Sequence, residues 1–112
     1  MSELIDQSVI EQMTADLGKE TCLTLINLFI DEMTTLNDKL ITAFNPLNTE
    51  AISDITHIVK NSAALYGAMP LAAKANEINH KLTISHDPIT TSDHIILSLM
   101  ENTLLQYNEK YN

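Results

Sequence analysis

The chain has no arginine and no tryptophan, and all six of its basic residues are lysines, set against 15 acidic ones for a net charge of −9. Nucleic-acid phosphates need a basic surface, so this balance excludes nucleic acid as a partner. It equally disfavours an anionic membrane surface. Two glycines and three prolines leave little room for a turn-rich β architecture. A single cysteine, Cys22, can form no internal disulfide. No apolar run approaches the ~20 residues of a membrane span. Glu3, Asp6, Glu11 and Asp16 precede the first lysine, Lys19, the wrong charge pattern for a targeting segment. The cytoplasm is the expected compartment.

What remains is 112 residues, 45% of them hydrophobic, enough for one domain, 1–112, around a single core. The apolar spacing predicts five helices and no strand. The first runs from about Gln7 to Leu17, with Asp6 as N-cap and Gly18 as stop. The second, about Lys19 to Phe44, carries Cys22, Leu25, Ile26, Phe29, Met33, Leu36, Leu40 and Phe44 on one stripe and ends before Asn45-Pro46. Asn48 should cap a third helix from about Thr49 to Tyr66, which Gly67 terminates. Pro70 suits the first turn of a fourth, running to about Ile84. A turn at Ser85-His86-Asp87-Pro88 precedes a fifth, about Ser92 to Lys110. The expected fold is all-α: an antiparallel up-and-down four-helix bundle with the short first helix capping one end.

Chemistry concentrates in the third helix. Ile52, Ile55, Val59, Ala63 and Tyr66 form its buried stripe, and at about 100° per residue His57 falls roughly opposite its centre. Lys60, Asn61, Ala64 and Ala68 are expected around His57 on the outward face. Imidazoles have a reference pKa of about 6.5 and are mostly neutral and nucleophilic near pH 7. With a cation one turn away and small neighbours, such a ring is open to another protein. Two rival patterns are set aside. Asp54-x-x-His57 and Glu77-x-x-His80 have the spacing of di-iron ligands, but both pairs oppose their helices' apolar stripes, whereas such ligands point inward. His86, Asp87, Asp93 and His94 read better as turn and N-cap chemistry than as a metal site. No metal or other cofactor is expected. There is also no glycine-rich phosphate loop, so no kinase activity of its own.

The pattern His57-x-x-Lys60-x-Ser62-x-x-x-x-Gly67-Ala68, in the third helix of a small acidic bundle, resembles the histidine-containing phosphotransfer (HPt) domains of bacterial phosphorelays. Ile10-Glu11-Gln12-Met13 to Leu17-Gly18 and Leu28-Phe29-Ile30-Asp31-Glu32-Met33 extend the resemblance over essentially the whole chain. In size the chain is similar to the free-standing members that serve quorum sensing. The resemblance implies a phosphohistidine on His57 at Nε2, Lys60 as charge partner and Asn79 as an amide steadying the imidazole. It also implies a docking surface that includes Ile10 and Met13. The implied partners are the receiver domain of a hybrid sensor histidine kinase and a response regulator, with Mg²⁺ required by those receivers. The chain itself is expected to be monomeric. Many family members place glycine after the lysine, where this chain has Asn61, a departure that bears on partner choice. The competing reading is a helical adaptor that docks such domains without carrying phosphate.

Overall fold

The computed structural model describes residues 3–111, so residues 1, 2 and 112 of the expected domain lie outside the described residues. Five α-helices account for most of the chain, and no strand occurs among the described residues: α1 Gln7–Leu17, α2 Lys19–Phe44, α3 Thr49–Leu65, α4 Met69–His80 and α5 Ile95–Tyr111. Packing joins α2 to α1, α3 and α5, and α4 to α3 and α5. The core between them holds Ile26, Phe29, Met33, Leu40, Ile52, Val59, Leu71, Ile78, Ile96 and Met100, all 2% exposed or less.

The helix ends follow local chemistry. The Asp6 side chain accepts from Ser8 N–H at 3.0 Å, and Asn48 Oδ1 accepts from Ala51 N–H at 3.1 Å, each satisfying an otherwise orphaned donor. The end of α4 departs from the sequence expectation. Its α-helical geometry stops at His80, and Lys81–Ser85 forms a wider π turn. There the Thr83 hydroxyl donates back to the Asn79 carbonyl at 2.8 Å, competing with the backbone ladder. His86, at φ 55°, then closes the turn, and Asp87 N–H reaches the Lys81 carbonyl at 2.9 Å. A 3-10 turn, Thr91–His94, leads into α5.

Contacts around Gly67 secure one end of the fold. Gly67, at φ +89°, links α3 to α4, and its carbonyl accepts from Asp6 N–H at 2.7 Å. A Cβ on Gly67 would lie 2.9 Å from the Asp6 carbonyl oxygen and 3.1 Å from Val9 Cβ. The start of α1 therefore rests on this glycine. Beside it the buried Tyr107 of α5 donates its hydroxyl to the Tyr66 carbonyl at 2.7 Å, and Phe29 stacks on Tyr66 with ring centroids 4.6 Å apart.

At the other end, Asp93 is 1% exposed and accepts from Lys81 Nζ at 2.6 Å and Thr90 N–H at 2.9 Å, with Lys74 Nζ at 3.5 Å. Thr90 and Asp93 form a capping box, so the N-cap chemistry expected of Asp93 is present. Burial pushes the Asp93 carboxyl up, but the Lys81 and Thr90 hydrogen bonds and the Lys81 charge outweigh it, leaving the group below its ordinary value.

These ties set the expected cost of substitution at each end. Gly18 shares the φ of +89°, but a Cβ there would meet open space, with no atom within 4 Å. Gly18→Ala should therefore show only backbone strain, about 1–3 kcal/mol for a φ of 89° with a ψ of 156°, a region essentially reserved for glycine, and Gly67→Ala a larger loss through added steric overlap. Urea unfolding midpoints of the two variants check the order. For Asp93, a lowered folded-state pKa means stabilisation that is present above the unfolded value and lost as pH falls through the folded one. Asp93→Asn should cost about 1.5–3 kcal/mol at neutral pH. Its deficit against wild type should shrink as pH drops below about 4, which unfolding curves across the acid range measure.

Candidate functional site

The site is built on the outward side of the α3–α4 hairpin. His57 sits in the middle of α3 and is exposed, while Ile55, Thr56 and Val59 beside it are buried. The ring lines a shallow recess of about 560 Å³ with Ser53, Asp54, Lys60, Asn79 and Thr83. Lys60, half-buried, also borders the adjoining depression between α3 and α4, which Asn61, Ala64, Ala72 and Ala73 line. Ala64 is exposed, two helical turns from His57 and nearly in line with it. Ala64, Ala72 and Ala73 keep the surface low between the two helices, while Ile58 beside His57 and Met69 at the start of α4 are exposed at its edges. Asn61 is exposed and donates its amide to the His57 carbonyl at 3.0 Å, which folds the side chain back along its own helix.

Asn79 meets α3 from α4 and is 5% exposed. Its Nδ2 donates to the Ser53 carbonyl at 2.9 Å and makes a longer contact, 3.4 Å, with Thr56 Oγ1. Its Oδ1 accepts from Lys60 Nζ, also at 3.4 Å. The amide orientation follows from chemistry, because a carbonyl only accepts and an ammonium only donates. Its hydrogen bonds run to the lysine and the α3 backbone rather than to the His57 ring. The anchoring pair Ser53 and Thr56 went unnoticed in the sequence. Their only signal there is position, one turn before His57 and immediately beside it.

Two expected site residues lie elsewhere. Ala68 is fully buried: α3 stops at Leu65, and Ala68 is the N-cap of α4 rather than a fourth outward residue of α3. Extending the helical angle past Gly67 misplaced it, since the chain turns there. Ile10 is 5% exposed and belongs to the core, so it is unavailable for docking. Met13 is half-buried and lines an apolar groove of about 700 Å³ with Val9, Leu17, Leu25, Leu65 and Tyr66. Leu65, 65% exposed, stands eight residues from His57, about 12 Å along the same helix. The groove was missed because it draws on three helices. Asp54, Glu77 and His80 are exposed like His57, pointing away from the core.

The fold places the chain in a class. It superimposes on the crystal structure of histidine-containing phosphotransfer protein B from Pseudomonas aeruginosa with a TM-score of 0.80, over 99% of this chain and 93% of that one, at 14% sequence identity. This is the HPt fold. The sequence is 33% identical to the phosphorelay protein LuxU of Vibrio cholerae over 81 residues, 72% of each chain. It is 28% identical to LuxU of Vibrio harveyi over 80 residues, 71% of this chain and 70% of that protein. The chain belongs to the LuxU family of phosphorelay proteins. No protein-family model matches it.

Because His57 faces away from the core, His57→Gln should leave the fold intact. Surface substitutions of this kind shift stability by no more than ~0.5 kcal/mol. Circular dichroism melting within a few degrees of wild type is the expected result.

Proposed function

We propose that the chain is a phosphorelay intermediary in which His57 carries the phosphoryl group between the aspartates of two receiver domains. The carrying observation is an exposed imidazole beside the alanine-lined depression between α3 and α4, with Lys60 lining the same recess. Membership of the LuxU family supports the same reading. The donor is the aspartyl phosphate of a hybrid sensor kinase's receiver domain, and the acceptor is a response-regulator aspartate. The scaffold for this exchange is an antiparallel up-and-down bundle of α2 to α5, with α1 capping the end that carries the apolar groove.

The Nε2 lone pair of His57 attacks phosphorus, the bond from phosphorus to the donor's carboxylate oxygen breaks, and the aspartate leaves with that electron pair. The second transfer reverses these roles on another receiver. Lys60 offsets the charge on the phosphoryl oxygens. Mg²⁺ belongs to the receivers, whose acidic pockets hold it, and this chain needs no cofactor. Ala64 gives a receiver clearance over His57, and the groove around Met13 and Leu65 offers it an apolar foothold. Among the described residues no helix is long and apolar enough to cross a membrane. We place the protein in the cytoplasm, as a monomer.

Label from radioactive phosphate should enter the chain only with a phosphorylated receiver and Mg²⁺ present, never from ATP alone. It should be labile to acid, stable to alkali and absent from His57→Gln. Receiver binding without any label would identify a non-phosphorylated adaptor instead. Lys60→Ala should slow transfer and shorten the phosphohistidine lifetime without abolishing label. A charge-assisted hydrogen bond of about 1.5–3 kcal/mol corresponds to roughly tenfold to somewhat over a hundredfold in rate. Single-turnover kinetics with one receiver measure it.

A further inference from the structure

The geometry points to Asn79 as the positioning residue of Lys60: a buried, neutral cradle that holds the ammonium beside His57 until a phosphoryl group arrives. The inference rests on the phosphotransfer reading and assigns a task to a residue that does not touch the reacting ring.

Three features carry it. The Asn79 side chain is 5% exposed, and its donor end is tied to the Ser53 carbonyl, so its orientation is set by α3 itself. Its free end, Oδ1, faces the Lys60 ammonium, 3.4 Å away. Both residues line the recess that contains His57. A lysine side chain has four rotatable bonds and ordinarily wanders in solvent, at a cost in entropy whenever it is called to one place. Here the ammonium is restrained at the edge of the recess before any phosphate is present.

The neutrality of the holder matters. A carboxylate at this position would pair with Lys60 and cancel the charge that the phosphoryl oxygens need. An amide oxygen carries no net charge, so it yields the ammonium to a phosphoryl group, whose ionised oxygens add ion-pair attraction to the hydrogen bond. The ammonium then moves from Asn79 to the phosphoryl oxygen while Nδ2 stays on Ser53. No covalent bond is made or broken at Asn79; only its hydrogen bond to Lys60 is exchanged.

A double-mutant cycle on single-turnover transfer tests this. Asn79→Leu keeps side-chain bulk and removes the acceptor, and it should slow transfer about three- to tenfold with Lys60 present. In the Lys60→Ala background the same change should have an effect of less than twofold. Equal slowing in both backgrounds, or none with Lys60 present, overturns the proposal. A second measurement does not require Asn79 to be replaced. In the unphosphorylated protein, Lys60→Ala should shift the Asn79 side-chain amide resonances, and His57→Gln should leave them in place. The reverse pattern would assign Asn79 to the imidazole and overturn the proposal. A wild-type chain that accepts no label at all is a different outcome, because it removes the phosphotransfer reading itself.

Discussion

The turn at Gly67 is the constraint on which the rest of the site depends. At φ +89° and with the Asp6 carbonyl oxygen only 2.9 Å from where a Cβ would stand, only glycine serves there without strain or displacement. This turn folds α4 back along α3, so residues at similar distances from it stand side by side. Ser53 and Asn79 are such a pair, 14 and 12 residues from Gly67, and their hydrogen bond is the result. The same turn receives the first residues of α1, which sets the apolar groove against the far end of α3. One backbone conformation thus fixes both the environment of His57 and the surface next to it.

The two ends of the bundle are secured by different physics. Near Gly67, aromatic packing of Phe29 on Tyr66 and the Tyr107 hydroxyl on the Tyr66 carbonyl hold three helices together with neutral groups. Around Asp93, a buried carboxylate collects two lysines and a capping interaction. In this acidic chain that leaves two of the six lysines, Lys74 of α4 and Lys81 of the following turn, engaged at Asp93, with Lys60 the one lysine of α3. The positive charge in the His57 recess is therefore scarce, and the restraint of Lys60 by Asn79 gains importance from that scarcity.

Much of the architecture was legible in the chain. The bounds of α1 and α2 agree with their apolar periodicity and stop signals, and α3 differs by a single residue at Tyr66. The exposure of His57 followed from helical angle alone, because neighbours on one helix have a fixed angular relation. Errors arose where that relation stops applying. Ala68 lies beyond the turn, and Ile10 sits on a helix whose partners the sequence does not specify. At the π turn Lys81–Ser85 the Thr83 hydroxyl competes for the Asn79 carbonyl, which apolar periodicity does not register.

By itself, then, the sequence determined that the chain is helical, acidic and built around a stripe opposite His57, since local periodicity and charge are additive properties of neighbouring residues. It also carried the spacing of His57 and Lys60, which one helix suffices to express. Only the tertiary structure decided which groups Asn79 meets, because its partners lie 19 and 26 residues away and the packing of α4 on α3 selects them. It alone buried Asp93 among lysines from α4 and the following turn, and brought Met13, Leu25 and Leu65 to one groove. Contacts between helices depend on rotation and offset as well as on residue type, and these are settled when the whole core packs.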